Sequence, residues 1–267
     1  ADAAALWERL RRHWQPTVLC LLTAAVALGN AVVALFFFDD HTVQLAFCSC
    51  GAATVAVLSL MWLPREMAQC NVYMMLAHAL YFGLSGAMDF WYTADEACVP
   101  GGPAFDYTYY NTYTAVVGSL MAWVGVVMFE ALLADWTFRS VFWITTLMQV
   151  AASLCDVIMM KRWNLALGIS DRAFYMLGDA VVGPAIGSMA FMPSMVLISK
   201  LATKGLESTT FALLAGFANF GNTVASQLGM FATKAAGVRT TEPCNFDNLV
   251  PLVLVGHCVL PLLAVPL

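Results

Sequence analysis

Long, almost unbroken apolar runs set the rhythm of this chain. They fall at 16–38, 43–63, 71–92, 107–133, 141–160, 173–199, 209–231 and 249–267, with polar residues gathered between them. A bilayer core of ~30 Å needs about 20 predominantly apolar residues per helix. The strands of a membrane barrel alternate polar and apolar and run to about ten residues. These runs are twice that length and do not alternate. The pattern predicts an all-α integral membrane protein of about eight transmembrane helices, with little chain left for a separate soluble domain.

Composition agrees with a lipid environment. Of 267 residues, 61% are hydrophobic and 11% charged, whereas a soluble domain carries about 25% charged residues. The net charge of −5 offers no basic patch for nucleic acid and no polybasic run for anionic lipid. Among eight cysteines, Cys20, Cys48, Cys50, Cys155 and Cys258 lie inside apolar runs and Cys70 at the edge of one. Without CxxC or Cys/His spacing they read as packing residues, and no metal or cofactor is implied. Neither HExxH nor GxSxG occurs, so an enzyme is disfavoured. The chain opens on an Arg-rich flank without Met and stops inside an apolar run, which reads as an excerpt of a longer membrane protein.

Orientation follows from lysine and arginine in the short connections. Arg9, Arg11, Arg12, Arg65 and Arg139 precede the first span or sit in the second and fourth connections. The first and third connections hold only acids: Asp39, Asp40, Asp95, Glu96 and Asp106. This asymmetry puts the N-terminus inside. Lys161, Arg162 and Arg172 then fall outside, against the trend, and call for another role. Cys98 and Cys244 also fall on outer connections. They are either a disulfide or two free thiols.

Polar groups within spans are costly and usually face a bundle interior or a watery cavity. Here they keep helical register. Thr146, Gln149, Ser153 and Asp156 share a face of the fifth span. Asp179, Gly183, Gly187, Ala190 and Ser194 share one on the sixth, and Ala215, Asn219, Asn222, Ser226 and Gly229 one on the seventh. Small residues alone serve close packing as well as a cavity. Carboxylates and paired amides exceed what a packing seam needs. Pro184 and Pro193 add bends to the sixth span. Tyr107, Tyr109, Tyr110 and Tyr113 cluster where the fourth begins, either as an interfacial belt or as a stacking platform.

Several ordered motifs resemble the folate–biopterin transporter family of the major facilitator superfamily. They include KGLEST at 204–209, FALLAGFANFG at 211–221, RWNLALGISD at 162–171, LGDAVVG at 177–183 and MPSMVLISKL around Pro193. CVPGGPAFDYTYY at 98–110 and FRSVFWITTLMQ at 138–149 resemble the trypanosomatid pteridine and folate transporters in particular. The resemblance implies about twelve helices in two halves, of which these would be helices 5–12. Residues 1–69 would close the first half and 70–267 form the second. It implies import of folate or pterins by alternating access, coupled to protons, across the plasma membrane. Another organic solute such as S-adenosylmethionine, or a non-transporting receptor, is the alternative.

On that reading Asp179, Arg162, Asp156, Asn219 and Asn222 are substrate-site candidates. Asp179 and Glu130 are candidates for proton coupling, and Lys200, Lys204 and Glu207 for a gate. A pterin presents N3–H and a 2-amino group side by side, a donor pair that a carboxylate accepts in bidentate fashion. A structural ion pair between Arg162 and Asp171 is the alternative to a substrate contact for Arg162.

Overall fold

A computed structural model describes residue 11, residues 14–201 and residues 207–265. Its elements in chain order are α1 (Trp14–Phe36), α2 (His41–Trp62), α3 (Arg65–Ala79), α4 (Ser85–Thr93), α5 (Thr114–Leu132) and α6 (Phe138–Met160). There follow α7 (Trp163–Ala166), α8 (Asp171–Tyr175), α9 (Gly183–Leu201), α10 (Glu207–Ala235), α11 (Leu249–Val253) and α12 (Leu260–Ala264). Three wider π turns, Thr108–Tyr113, Met176–Val182 and Leu254–Val259, run directly into α5, α9 and α12. Among the described residues the sole β pairing is an isolated bridge between Arg239 and Asn245. The fold is all-α. Among the described residues five helices, Trp14–Phe36, His41–Trp62, Thr108–Leu132, Phe138–Met160 and Asp171–Leu197, are long and apolar enough to cross a membrane.

The distribution of side chains inverts that of a soluble protein. Leu21, Leu28, Leu35, Phe36, Leu120, Trp123, Leu177 and Leu263 are exposed, while Asn30, Gln44, Asn71, Thr145 and Asp156 are buried. Apolar groups on the outside cost nothing when the surroundings are lipid, and backbone groups are satisfied within each helix.

Contacts divide the described residues into two compact units. One takes its residues from Ala1–Leu80 and Val196–Phe231. Its core gathers Leu19, Cys48, Val55, Met75, Leu213, Phe217 and Phe220. The turn between α1 and α2 is closed by Gln44, whose Nε2 donates to the Phe37 carbonyl at 2.6 Å. Asp40 caps α2, accepting from the backbone of Thr42 and Val43. Asn71 on α3 donates to Ser59 on α2 at 3.1 Å. Gln44 and Asn71 are buried, and each is a polar group finding its partner where water does not reach.

The other unit takes its residues from Tyr81–Met195 and Ala232–Leu267. Its core is strongly aromatic: Trp91, Tyr92, Phe105, Tyr109 and Tyr175 pack with Leu84, Val157, Leu249 and Val253. α5 lies close along the start of α9. A Cβ at Gly125 would stand 2.1 Å from the Ala185 carbonyl oxygen, so only glycine fits that crossing. A disulfide joins Cys98 and Cys244, with Cα atoms 5.2 Å apart.

Sequence periodicity predicts one continuous helix over 71–92, and here the structure differs. Helix α3 ends at Ala79 and α4 begins at Ser85. Between them Phe82 turns its backbone to another segment: its N–H donates to the Gly256 carbonyl at 3.3 Å, and its carbonyl meets His257 Nε2 at 2.8 Å. Bonds made outward replace the helical ladder at this point, a substitution that an apolar run does not announce.

Candidate substrate site

The site belongs to the second unit and starts from α6. Gln149, Ser153 and Asp156 follow at spacings of four and three, so they share one face, and all three line one small cavity. Asp179, Gly178, Gly183, Gly187, Tyr81, Ile186 and Ala152 complete its wall. Asp156 is 7% exposed and Asp179 is half-buried. Their carboxyl groups stand beside each other in the cavity wall, close enough to interact. Tyr92 donates its hydroxyl to Asp156 Oδ1 at 2.5 Å, and Tyr81 Oη lies 3.2 Å from Ser153 Oγ.

Asp179 reaches this position from a π turn, and the sequence supplies the cause. Pro184 has no N–H to donate, and its ring crowds the carbonyl four residues back. The preceding turn widens in response: the Gly183 N–H bonds the Gly178 carbonyl five residues back. The same arrangement recurs at Leu254–Val259, where His257 precedes Pro261 by four positions. Single π turns inside helices frequently mark functional positions. The two that precede prolines place Asp179 in the cavity wall and His257 against Tyr81, another wall residue.

An aromatic layer surrounds the carboxyl pair. Tyr92 meets Tyr175 edge-on at 4.9 Å and faces Phe105 at 6.1 Å. The four tyrosines at the start of the fourth span divide by role. Tyr109 and Tyr110 turn inward, donating to the Arg172 carbonyl at 2.6 Å and to Asp89 Oδ1 at 2.5 Å. Tyr107 and Tyr113 stay exposed, as in an interfacial belt. Arg172 lies 5.5 Å from the centre of the Tyr109 ring and 3.6 Å from Asp106.

Arg162 stands apart from the carboxyl pair. Its Nη2 is 2.7 Å from Asp171 Oδ2. Asn164 Nδ2 holds the other carboxylate oxygen at 2.8 Å and the Ile169 carbonyl at 3.2 Å. Together they clamp the connection between α6 and α8. Arg162 Nη1 is buried without a hydrogen-bond partner among the described residues. Glu130 is exposed in the last turn of α5 and lines no part of the cavity.

Asn219 and Asn222 belong to the first unit. Both lie on an exposed face of α10. Asn222 is hydrogen-bonded to His78, and Asn219 lines a separate cavity with Cys20, Thr23, Gly216 and Thr223. Lys200 ends α9 on an exposed face. Lys204 lies outside the described residues, and Glu207 is the first residue of α10.

The BT1 family profile matches residues 4–267. The chain belongs to the BT1 family. This BT1-family chain is similar to "Probable folate-biopterin transporter 2" of Arabidopsis thaliana, 28% identical over 243 residues, which are 90% of the chain and 47% of the relative. It is 32% identical over 142 residues to "Folate-biopterin transporter" of Synechocystis sp., covering 53% of the chain and 28% of that protein. "Folate transporter 1" of Plasmodium falciparum is 26% identical over 145 residues, covering 54% and 28% respectively. The chain thus spans about half the length, or less, of the curated relatives it matches. No solved structure matches it.

In this BT1-family chain the sequence stripes mark Gln149, Ser153, Asp156 and Asp179, whereas Tyr81 and Tyr92 escape that reading. A tyrosine in an apolar run registers as packing or as an interfacial anchor. What distinguishes these two is the partner each meets on α6, which sequence spacing within one span does not reveal.

Proposed function

We propose that the full-length protein containing this chain carries a pterin, free or as part of a folate, across a membrane by alternating access. The names of the relatives support a transporter rather than an enzyme. The observation that carries the reading is the Asp156–Asp179 pair, set in a polar cavity within an apolar bundle. Carboxylates are expensive in a membrane and mark solute or proton pathways.

The chemistry follows from the geometry. Two carboxylates side by side in a site of low dielectric do not both ionise at modest cost, so the pair shares one proton. An incoming pterin offers N3–H and the 2-amino group as paired donors. It would replace the neighbouring carboxyl as donor and release a proton or carry it along. Asp179, which lacks the tyrosine hydroxyl that Asp156 has, is the proton carrier in this scheme. The glutamate tail of a folate is anionic and is repelled by the same pair, so the ring occupies the cavity and the tail points elsewhere. The eight spans would be helices 5–12 of a major-facilitator-type bundle, and the plasma membrane is the proposed location.

Removing either charge tests this. Asp156→Asn and Asp179→Asn should each lower uptake of labelled biopterin and folate at least about tenfold in transport-deficient cells, the scale of a lost charged hydrogen bond. Protein amounts in the membrane should be unchanged. Full uptake by both variants would sink the assignment.

One observation favours a second reading. With Arg162 committed to Asp171, the cavity lining is acidic and contains no cation, which also suits a cationic solute such as S-adenosylmethionine. Competition between unlabelled S-adenosylmethionine and labelled biopterin separates the two. Inhibition by the former but not by unlabelled folate would favour the cation.

A further inference from the structure

The cavity beside Asp156 and Asp179 has a volume of about 110 Å³. Pockets that bury an organic ligand run to about 300–1,000 Å³. A two-ring heterocycle therefore enters only when a wall moves. Gln149, Ser153 and Asp156 stand on the unbroken helix α6, and Asp179 in a turn fixed by Pro184. Tyr81 stands instead in the break between α3 and α4.

That break is held by a small clasp. The Phe82 N–H donates to the Gly256 carbonyl at 3.3 Å, and His257 Nε2 donates to the Phe82 carbonyl at 2.8 Å. The Tyr81 ring lies flat on the imidazole, with centroids 4.2 Å apart and planes at 8°. Gly256 makes the approach feasible, because a Cβ there would stand 2.8 Å from Phe82 Cβ and 3.0 Å from its ring. Held this way, Tyr81 reaches Ser153 and forms one wall of the cavity. Among the described residues the imidazole is gripped by one edge only: Nδ1 is buried and has no hydrogen-bond partner there. His257 does not itself line the cavity.

We propose that Tyr81 is the moving wall of the substrate cavity, and that His257 is the positioning residue that holds it shut through Phe82. This rests on the reading of the Asp156–Asp179 cavity as the substrate site. Opening breaks the Tyr81–Ser153 and His257–Phe82 hydrogen bonds and swings Tyr81 about a segment already outside the helical ladder. No helix has to unfold, and the carboxyl pair keeps its place.

The test uses the full-length protein in sealed vesicles, with its free cysteines replaced by alanine and Gln149→Cys as a reporter in the cavity wall. The readout is the rate of labelling by a membrane-impermeant maleimide. His257→Leu, which removes the donor, should raise that rate about fivefold, the effect of one lost hydrogen bond. His257→Gln keeps an N–H for the Phe82 carbonyl and should stay within about twofold of the parent. Gly256→Ala prises the clasp from the other side and should also raise labelling, so it carries the comparison if His257→Leu fails to accumulate. Parental labelling rates in both His257→Leu and Gly256→Ala would overturn the proposal. Unlabelled biopterin should slow labelling in every variant. If it does not, while His257→Leu still accelerates labelling, the moving wall stands and the substrate reading fails.

Discussion

Asp156 has two duties in the structure: its Oδ1 accepts the Tyr92 hydroxyl, and it stands beside the Asp179 carboxyl. Tyr92→Phe removes one of those duties without changing shape. It should raise KM for biopterin about threefold to tenfold, in line with a hydrogen bond to a charged group, and leave the amount of folded protein unchanged. Arg162 calls for the opposite expectation. Its partner Asp171 is also held by Asn164, so Arg162→Ala leaves a carboxylate short of a donor inside a tight connection. A loss of about 1–3 kcal/mol of stability is expected, read as a lower melting temperature in detergent. KM for folate should not change; a rise specific to folate over biopterin would return Arg162 to the substrate. The carboxyls were legible in the sequence because charge within an apolar run is rare and its register can be counted. Tyr81, Tyr92 and His257 were not, because their meaning lies in contacts between separate elements.

Among the helices, the two π turns that precede prolines have the greatest reach. A widened turn adds one residue to the helix, and one residue is about 100° of rotation at 3.6 residues per turn. Pro184 thereby decides which way Asp179 faces. Pro184→Ala restores a backbone donor and lets the segment relax toward a regular helix. The expected outcome is a split: a melting temperature equal to or above the parent's, with uptake per molecule strongly reduced. Full activity would show that the turn is set by its surroundings instead of by the proline. The sequence announced bends at Pro184 and Pro193 but could not announce a change of register. Nor did it announce the break between α3 and α4, where helix-compatible apolar residues yield to two hydrogen bonds from a distant segment.

Across the whole molecule, the lipid-facing surface and the all-α architecture follow directly from hydropathy, since a bilayer leaves a helix few alternatives. The division into two units does not, because each draws on separated stretches of chain. The Cys98–Cys244 disulfide spans 146 residues of sequence. Cys98→Ser should cost about 2–4 kcal/mol, with a melting temperature that no longer responds to reductant. A parent protein equally insensitive to reductant would argue against the bond.

That disulfide also imposes a rule of parity. Two thiols can join only on the same side of a bilayer, so the chain between them must cross an even number of times. Among the described residues, three helices long and apolar enough to cross lie between Cys98 and Cys244: Thr108–Leu132, Phe138–Met160 and Asp171–Leu197. Three is odd. The fourth crossing must come from Glu207–Ala235, a 29-residue helix whose Asn219, Asn222 and Ser226 lower its apolar content. A glycosylation tag placed after Lys200 should therefore stay unmodified, while one beside Cys244 is modified. The most polar of the long helices is thus the one that parity assigns to the membrane.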